Sequence, residues 1–417
     1  MSTATYWCEL AWLGGEAPEP SVQIDVESGR ISAVAAGVAA TAGATVLPGL
    51  TMPGLANSHS HAFQRALRGR TQAATHGSFW TWREQMYALA QTLQDEDLVE
   101  NLARATFAEM ALAGISLVGE FDYLHHSEAM LRAARDAGLR ITLIDACYLD
   151  GGLPQFRDPG PEAWAERVSG ISALGLARQG AAIHSVRAVD PDSARIVAAV
   201  AAEQGWPLHA HVSEQPAENQ ECLRKHGMTP LQLLDRIGAL SPRFTAVHAT
   251  HFTESDRELL EANEGFGCLC PTTERDLADG IGRVRGRLTL GSDSQSVIDL
   301  FEEARAVELD ERLGTLVRGN HTAASLALGV TENGYDSLGW PEGGRIAPGA
   351  LADLVSVRLD GVRLAGTRAE DALAAVVFAG TAGDVDTLVV DGEVVVSGGR
   401  HVRIDVAAEL ADAIASV

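Results

Sequence analysis

Residues 53–67 read PGLANSHSHAFQRAL, with His59 and His61 where an extended apolar run gives way to a helix-like one. Side chains two apart on a strand share a side, so both imidazoles can reach one point. That arrangement suits a transition metal. An isolated His-x-His is more often two hydrogen-bonded surface histidines, so further ligands must decide. Histidines recur in PLHAHVSE (207–214), as His209 and His211 with Glu214 three residues on, and in FTAVHAT (244–250), as His248. The stretch RLTLGSDS (287–294) adds Asp293. Each of these groups ends a short apolar run, so they converge if those runs are strands opening at one mouth.

Eight such runs occur, at 54–61, 114–121, 140–148, 181–186, 207–212, 244–250, 265–271 and 287–294. Amphipathic segments separate them, among them 97–112, 128–137, 190–204 and 253–263, with glycine at helix ends as in DAGLR (136–140). Short strands that are apolar throughout and joined by helices imply a parallel sheet covered on both faces. Eight units predict an α/β fold, a closed (β/α)8 TIM barrel over 51–344 with catalytic groups at its carboxyl mouth. The two ends read differently. Residues 1–50 hold SVQIDVESGRISAVAAG around a Ser-Gly turn. Residues 345–417 hold ADLVSV, AAVVFAG and TLVVDGEVVVSGG, the last a hairpin signal at Asp391-Gly392. The expected arrangement is a small β-sandwich module formed from both termini, beside the barrel.

Composition narrows the partners. A net charge of −24 argues against nucleic acid and against an anionic membrane surface. No apolar run reaches the length of a transmembrane helix, and MSTATYWCEL lacks the form of a secretory signal. The five cysteines (Cys8, Cys147, Cys222, Cys268, Cys270) are scattered and odd in number, which fits a reduced, cytoplasmic setting. Lys225 is the only lysine and sits away from every strand end. A carboxylated lysine bridging two metals is therefore not expected. The donor set suits one divalent metal, Zn2+ first, with Fe2+ or Mn2+ as substitutes.

These motifs resemble the amidohydrolase superfamily, in particular its deaminase branch: His-x-His on strand 1, HVSE on strand 5, VHAT on strand 6, GSDS on strand 8 and the tail GRIAPGALADLVSV (344–357). The resemblance covers essentially the whole chain. It implies His59, His61, His211 and Asp293 as metal ligands, Glu214 as proton shuttle, and His248 hydrogen-bonded to the attacking oxygen. Asp293 can also accept a proton there. His209 points the same way as His211 one layer deeper, a packing or supporting position. A homodimer is expected for this architecture.

Further stretches, HSHAFQRAL, SFWTWREQMY (78–87), EFDYLHH (120–126), HSVRAV (184–189) and LCPTTERDLADGIG (269–282), are similar to the formimidoylglutamate deiminases. That likeness implies hydrolysis of N-formimidoyl-L-glutamate to N-formyl-L-glutamate and ammonia, in histidine breakdown, by a single metal-activated water. Asp122 departs from the pattern, where a histidine is expected before Tyr123.

A small anionic substrate with two carboxylates needs fixed cations, and arginine binds planar carboxylates bidentately. Arg187 and His184 lie around the end of strand 4, Arg83 and Tyr123 come from the loops after strands 1 and 2, and Gln64 suits amidine nitrogens. Arg83 is equally compatible with a helix-surface charge stacked on Trp80 or Trp82. The net charge repels a dianion at long range, so binding must rest on this local cluster. Rival readings are a purine or pyrimidine deaminase, disfavoured by an aromatic content of 5%, and a deaminase of another formimidoyl or guanidino acid. A two-metal amide hydrolase is disfavoured by the lone lysine. A barrel that has lost its chemistry is disfavoured by the complete ligand set.

Overall fold

Each of the eight apolar runs forms a strand, and these strands lie side by side in chain order. The computed structural model describes residues 3–72, 77–171, 173 and 175–417. Four strands come first: β1 (Thr3–Ala11), β2 (Glu19–Glu27), β3 (Arg30–Ala35) and β4 (Thr45–Pro53). The barrel follows as β5 (Leu55–Ser60), β6 (Ile115–Asp122), β7 (Arg140–Cys147), β8 (Ala177–Ser185), β9 (Leu208–Val212), β10 (Phe244–His248), β11 (Phe266–Leu269) and β12 (Arg287–Leu290). Successive members pair in parallel from β5 to β12. Helices Glu96–Leu112, Ser127–Ala137, Pro191–Gln204 and Glu254–Ala262 cover them where amphipathic segments were expected.

The barrel closes at its mouth. Ser60 and Asp293 form a parallel bridge, the His61 N–H donates to Asp293 O at 3.1 Å, and the Asp293 N–H donates to His59 O at 3.0 Å. Gly291 permits the approach: a Cβ there would stand 2.6 Å from His59 O and 2.8 Å from His59 Cβ. The first and last strands of the barrel thus meet at the residues singled out for chemistry.

Strands β13 (Leu354–Val357), β14 (Val385–Val390), β15 (Glu393–Ser397) and β16 (Arg400–His401) join the N-terminal four in one mixed sheet, ordered β16-β15-β14-β13-β4-β1-β2-β3. Tyr6, Cys8, Val22, Ile24, Leu47, Leu354 and Val389 share a core of their own there. Its hairpins turn on paired positive φ values, 52° and 76° at Ser28-Gly29 and 54° and 77° at Asp391-Gly392. That is the twist-matched geometry which such dipeptides favour. β4 passes through Gly54 straight into β5. Arg140, at the start of β7, ties the two sheets together: its Nε is 2.7 Å from Asp353 Oδ2 and its Nη2 is 2.8 Å from Asp391 Oδ1.

One terminal run differs from expectation. AAVVFAG (374–380), read as part of the β-module, belongs to the helix Ala372–Ala379. Its buried side chains Ala372, Leu373, Val376 and Val377 recur at helical spacing, so the face it buries outweighs the strand preference of its valines. The helix Val406–Ala415 packs on Glu96–Leu112, where Arg104 meets Glu409 at 2.9 Å. SFWTWREQMY opens a further helix, Phe79–Thr92, through a capping box between Ser78 and Thr81. Among the described residues no helix is long and apolar enough to cross a membrane, and the five cysteines are buried free thiols.

Candidate active site

His59 and His61 close β5, His211 lies on β9, and Asp293 follows β12. The donor nitrogens of His59, His61 and His211 lie within 4.8 Å of one another, as do donor atoms of His59, His248 and Asp293. His61 Nδ1 is 3.0 Å from Phe121 O, and His211 Nδ1 is 3.0 Å from His184 O. A carbonyl can only accept, so each Nδ1 carries the proton and each Nε2 presents a lone pair. His211 Nε2 is 3.1 Å from His59 Nε2, and Asp293 Oδ1 is 3.4 Å from His59 Nε2 and 3.6 Å from His61 Nε2.

Lone pairs and a carboxylate aimed at one another repel unless a cation stands among them. Burial keeps the imidazoles neutral: it pushes His59 down to about 3, lowers His61, and holds His211 well below its ordinary value. Burial opposes the charge on Asp293, but His59, His248 and His61 beside it outweigh burial and hold the carboxyl below its usual range. Three neutral imidazoles and one charged carboxylate fit a divalent metal such as Zn2+. Lys225 lies on the helix Pro216–His226, half exposed, with its Nζ 2.6 Å from Glu221, and so is no bridging ligand.

His248 ends β10 between two carboxylates, its Nε2 3.8 Å from Glu214 Oε1 and its Nδ1 3.6 Å from Glu274 Oε1. Burial disfavours its charge, yet Glu214, Glu274 and Asp293 outweigh that and raise it to about 10. Its ring thus faces both carboxylates and also the His59–Asp293 group. Backbone strain gathers at these strand ends, with φ of 55° at Ser213, 70° at His248, 52° at Ala249 and 44° at Asp293. Each such non-glycine residue costs on the order of 1–3 kcal/mol, a pattern typical of functional sites.

Gln64, Arg83, Tyr123, His184 and Arg187 all line one cavity above these histidines, with about 790 Å3 of empty space. The Tyr123 hydroxyl is 3.2 Å from Gln64 Nε2, leaving Gln64 Oε1 buried without a partner among the described residues. The Nε atoms of Arg83 and Arg187 are likewise buried and without hydrogen bonds among those residues. Arg83 stacks on Trp80 at 4.5 Å and on Tyr87 at 5.4 Å, so it is both a stacked charge and part of the lining. His184 packs on Tyr148, ring centroids 4.1 Å apart. Burial and Arg187 hold it well below its ordinary pKa, so it supplies hydrogen bonding and not charge.

The low aromatic content misleads about this cavity. Phe79, Trp82, Tyr87, Tyr123, Tyr148 and Phe156 all line it, because helix Phe79–Thr92 and the loops after β6 and β7 bring them to one place. A whole-chain percentage says nothing of local gathering. Spacing also missed Glu218 and Glu274, which brace Arg187 and His248. The signal was present, since both are acidic residues in the first turn of a helix begun by proline. Asp122 is buried beneath the wall; it accepts the Leu124 N–H at 2.8 Å and the Ser127 hydroxyl at 3.1 Å. His209 lies a layer below the site, its Nε2 3.1 Å from Ser337 O, and burial pushes it down to about 4.

A metal-ready centre at the mouth of an eight-stranded parallel barrel defines a class of hydrolase, and residues 50–395 match the amidohydrolase family. The chain belongs to that family of metal-dependent hydrolases. It is 34% identical to the formimidoylglutamate deiminase of Pseudomonas aeruginosa, over 86% of this chain and 87% of the relative. It is 29% identical to the 5-methylthioadenosine/S-adenosylhomocysteine deaminase of Natronomonas pharaonis, over 94% and 93%. The crystal structure of an amidohydrolase from Brucella melitensis superposes with a TM-score of 0.88 at 29% identity, covering 99% of both chains. These findings support an amidohydrolase-type deaminase.

Proposed function

We propose that this protein hydrolyses N-formimidoyl-L-glutamate to N-formyl-L-glutamate and ammonia. The observation that carries the reading is the paired arginines: Arg83 and Arg187 line one cavity, each with a buried Nε donor lacking a hydrogen bond among the described residues. Guanidinium groups pair with planar carboxylates, and two of them on one cavity wall suit a dicarboxylate. The 34% identity to a formimidoylglutamate deiminase supports the same choice.

In this reading His59, His61, His211 and Asp293 hold one divalent ion, zinc by its donor set. Once bound, such an ion lowers the pKa of a water molecule towards neutrality. The chain's own groups do the rest. Glu214 takes a proton from the attacking water and delivers it to the imine nitrogen. His248, between Glu214 and Glu274, donates to the oxygen being added. Gln64 Oε1 accepts from an amidine N–H. Glu214 or Asp293 then carries the remaining proton of the added hydroxyl to the same nitrogen, so that a formyl C=O forms as the bond from carbon to nitrogen breaks and ammonia leaves. Arg83 and Arg187 orient the carboxylates, and Asp150, also on the wall, sets an acidic limit to where they can lie.

A second reading has an observation of its own. Six aromatic side chains on the wall could stack a purine, as the 29% identity to a methylthioadenosine deaminase would suggest. Ammonia release from formimidoylglutamate, formimidoylaspartate, 5-methylthioadenosine and guanine, with and without chelator, separates the two. Faster turnover of either purine than of both formimidoyl acids would sink the proposed assignment.

A further inference from the structure

Arg187 already has carboxylates around it before any substrate arrives. Its Nη2 is 2.8 Å from Glu214 Oε2, and its Nε lies 3.8 Å from Glu218 Oε2. The two partners are held unequally. Glu218 is buried and accepts the backbone N–H groups of Ser213 at 3.2 Å and Glu214 at 3.1 Å, fixed on the first turn of its own helix. Glu214 rests one oxygen on Arg187 and turns the other towards His248 at 3.8 Å. Glu214 is the partner that can let go.

A guanidinium binds a planar carboxylate best along one edge, with two parallel N–H···O bonds. Arg187 lines the cavity with its Nε buried against Glu218, so the edge it offers to a carboxylate is Nη1 with Nη2, and Glu214 occupies Nη2. We infer that the substrate's carboxylate displaces Glu214 from Arg187, so that binding the anion releases the proton-transferring carboxylate for reaction. The inference rests on the proposed function. Glu218 keeps Arg187 in place while the exchange occurs.

The consequence concerns specificity. An oxygen held by a charge-assisted hydrogen bond is a poor proton acceptor, and it cannot turn towards the reacting nitrogen. An amidine without a carboxylate leaves Glu214 tied down. Such a compound loses turnover as well as affinity, because part of the binding energy is used to assemble the catalytic group.

The probe is formamidine, the reacting fragment alone, with glutarate supplied separately as the anion. Wild-type, zinc-loaded enzyme should hydrolyse formamidine several-fold faster when glutarate is added. Arg187→Met should lose roughly 100-fold in kcat/KM on formimidoylglutamate, as expected for one partner of a desolvated charge pair. The same variant should exceed wild type on formamidine, because Glu214 is no longer held. A residue needed only for packing would lower both rates, and one needed only for binding would leave formamidine unchanged. Inhibition or no effect by glutarate, or a variant no faster than wild type on formamidine, overturns the exchange. Failure of wild type to hydrolyse formimidoylglutamate would instead overturn the proposed function, and it is read separately in the same assay.

Discussion

Glu214 and Asp293 are both carboxylates at strand ends, but their neighbours give them different work. Asp293 faces three imidazoles, which hold its carboxyl below the usual range, while Glu214 sits between Arg187 and His248. Glu214→Gln should lower kcat by about 100- to 10,000-fold with metal content unchanged, measured by ammonia release and elemental analysis. In the same analysis wild type should hold one divalent ion per chain, and His211→Ala should lose it; two ions per chain would contradict the single-metal site. Glu120 makes a different kind of prediction. Its buried carboxylate accepts the Ser60 hydroxyl at 2.6 Å and the Ala62 N–H at 2.7 Å, gripping both sides of His61. Burial raises it from 4.5 to about 8, against the lowering effect of those two hydrogen bonds. The folded chain therefore keeps a proton that the unfolded chain releases above 4.5. The stability gained is full below that point, declines as pH rises, and is gone above about 8. Glu120→Gln should flatten this decline in thermal melts taken across that range. An equal slope in wild type and variant would assign the decline to other groups.

At the scale of elements, the site depends on how β5 and β12 close the barrel. Gly291 has no side chain because His59 occupies the space where one would be, and the obstruction is backbone and Cβ, neither able to swing away. Gly291→Ala should push His59 out of register and weaken metal affinity by roughly 10- to 100-fold, the usual cost of disturbing what supports a ligand. Competition with a chromogenic chelator measures it, and unchanged affinity would mean that the seam yields elsewhere. The strained φ values at Ser213, His248 and Asp293 belong to the same argument. A strand that must end by turning its last side chain inward leaves the extended region to do so.

For the whole molecule, the clamp between barrel and terminal sheet is the test of unity. Arg140 and Asp353 are both almost fully buried, and the Tyr335 hydroxyl adds a hydrogen bond to Asp353 at 2.7 Å. Asp353→Ala leaves a buried guanidinium with only the half-exposed Asp391, and should cost about 3–5 kcal/mol in denaturant unfolding. Asp391→Asn removes the exposed partner's charge but keeps a residue suited to the positive φ of this turn, and should cost under about 1 kcal/mol. Equal losses would mean that the clamp acts through the hairpin turn and not through charge.

The sequence by itself determined the eight strands, the helices between them, both hairpin turns and the set of histidines with Asp293, because each follows from local periodicity, turn chemistry or position at a strand end. It also placed Gln64, Arg83, Tyr123, His184 and Arg187 near one another, from the donors that an amidine with two carboxylates needs and from their positions at strand ends and in the loops that follow. Only the tertiary structure decided that AAVVFAG is helical, since its partners for burial lie far along the chain. The same holds for the six aromatic residues gathered on one wall and for Arg187 resting on Glu214, 27 residues away. Pattern along a chain reports which face a residue shows; which other residue stands opposite is set by closure of the barrel, and no local period encodes that.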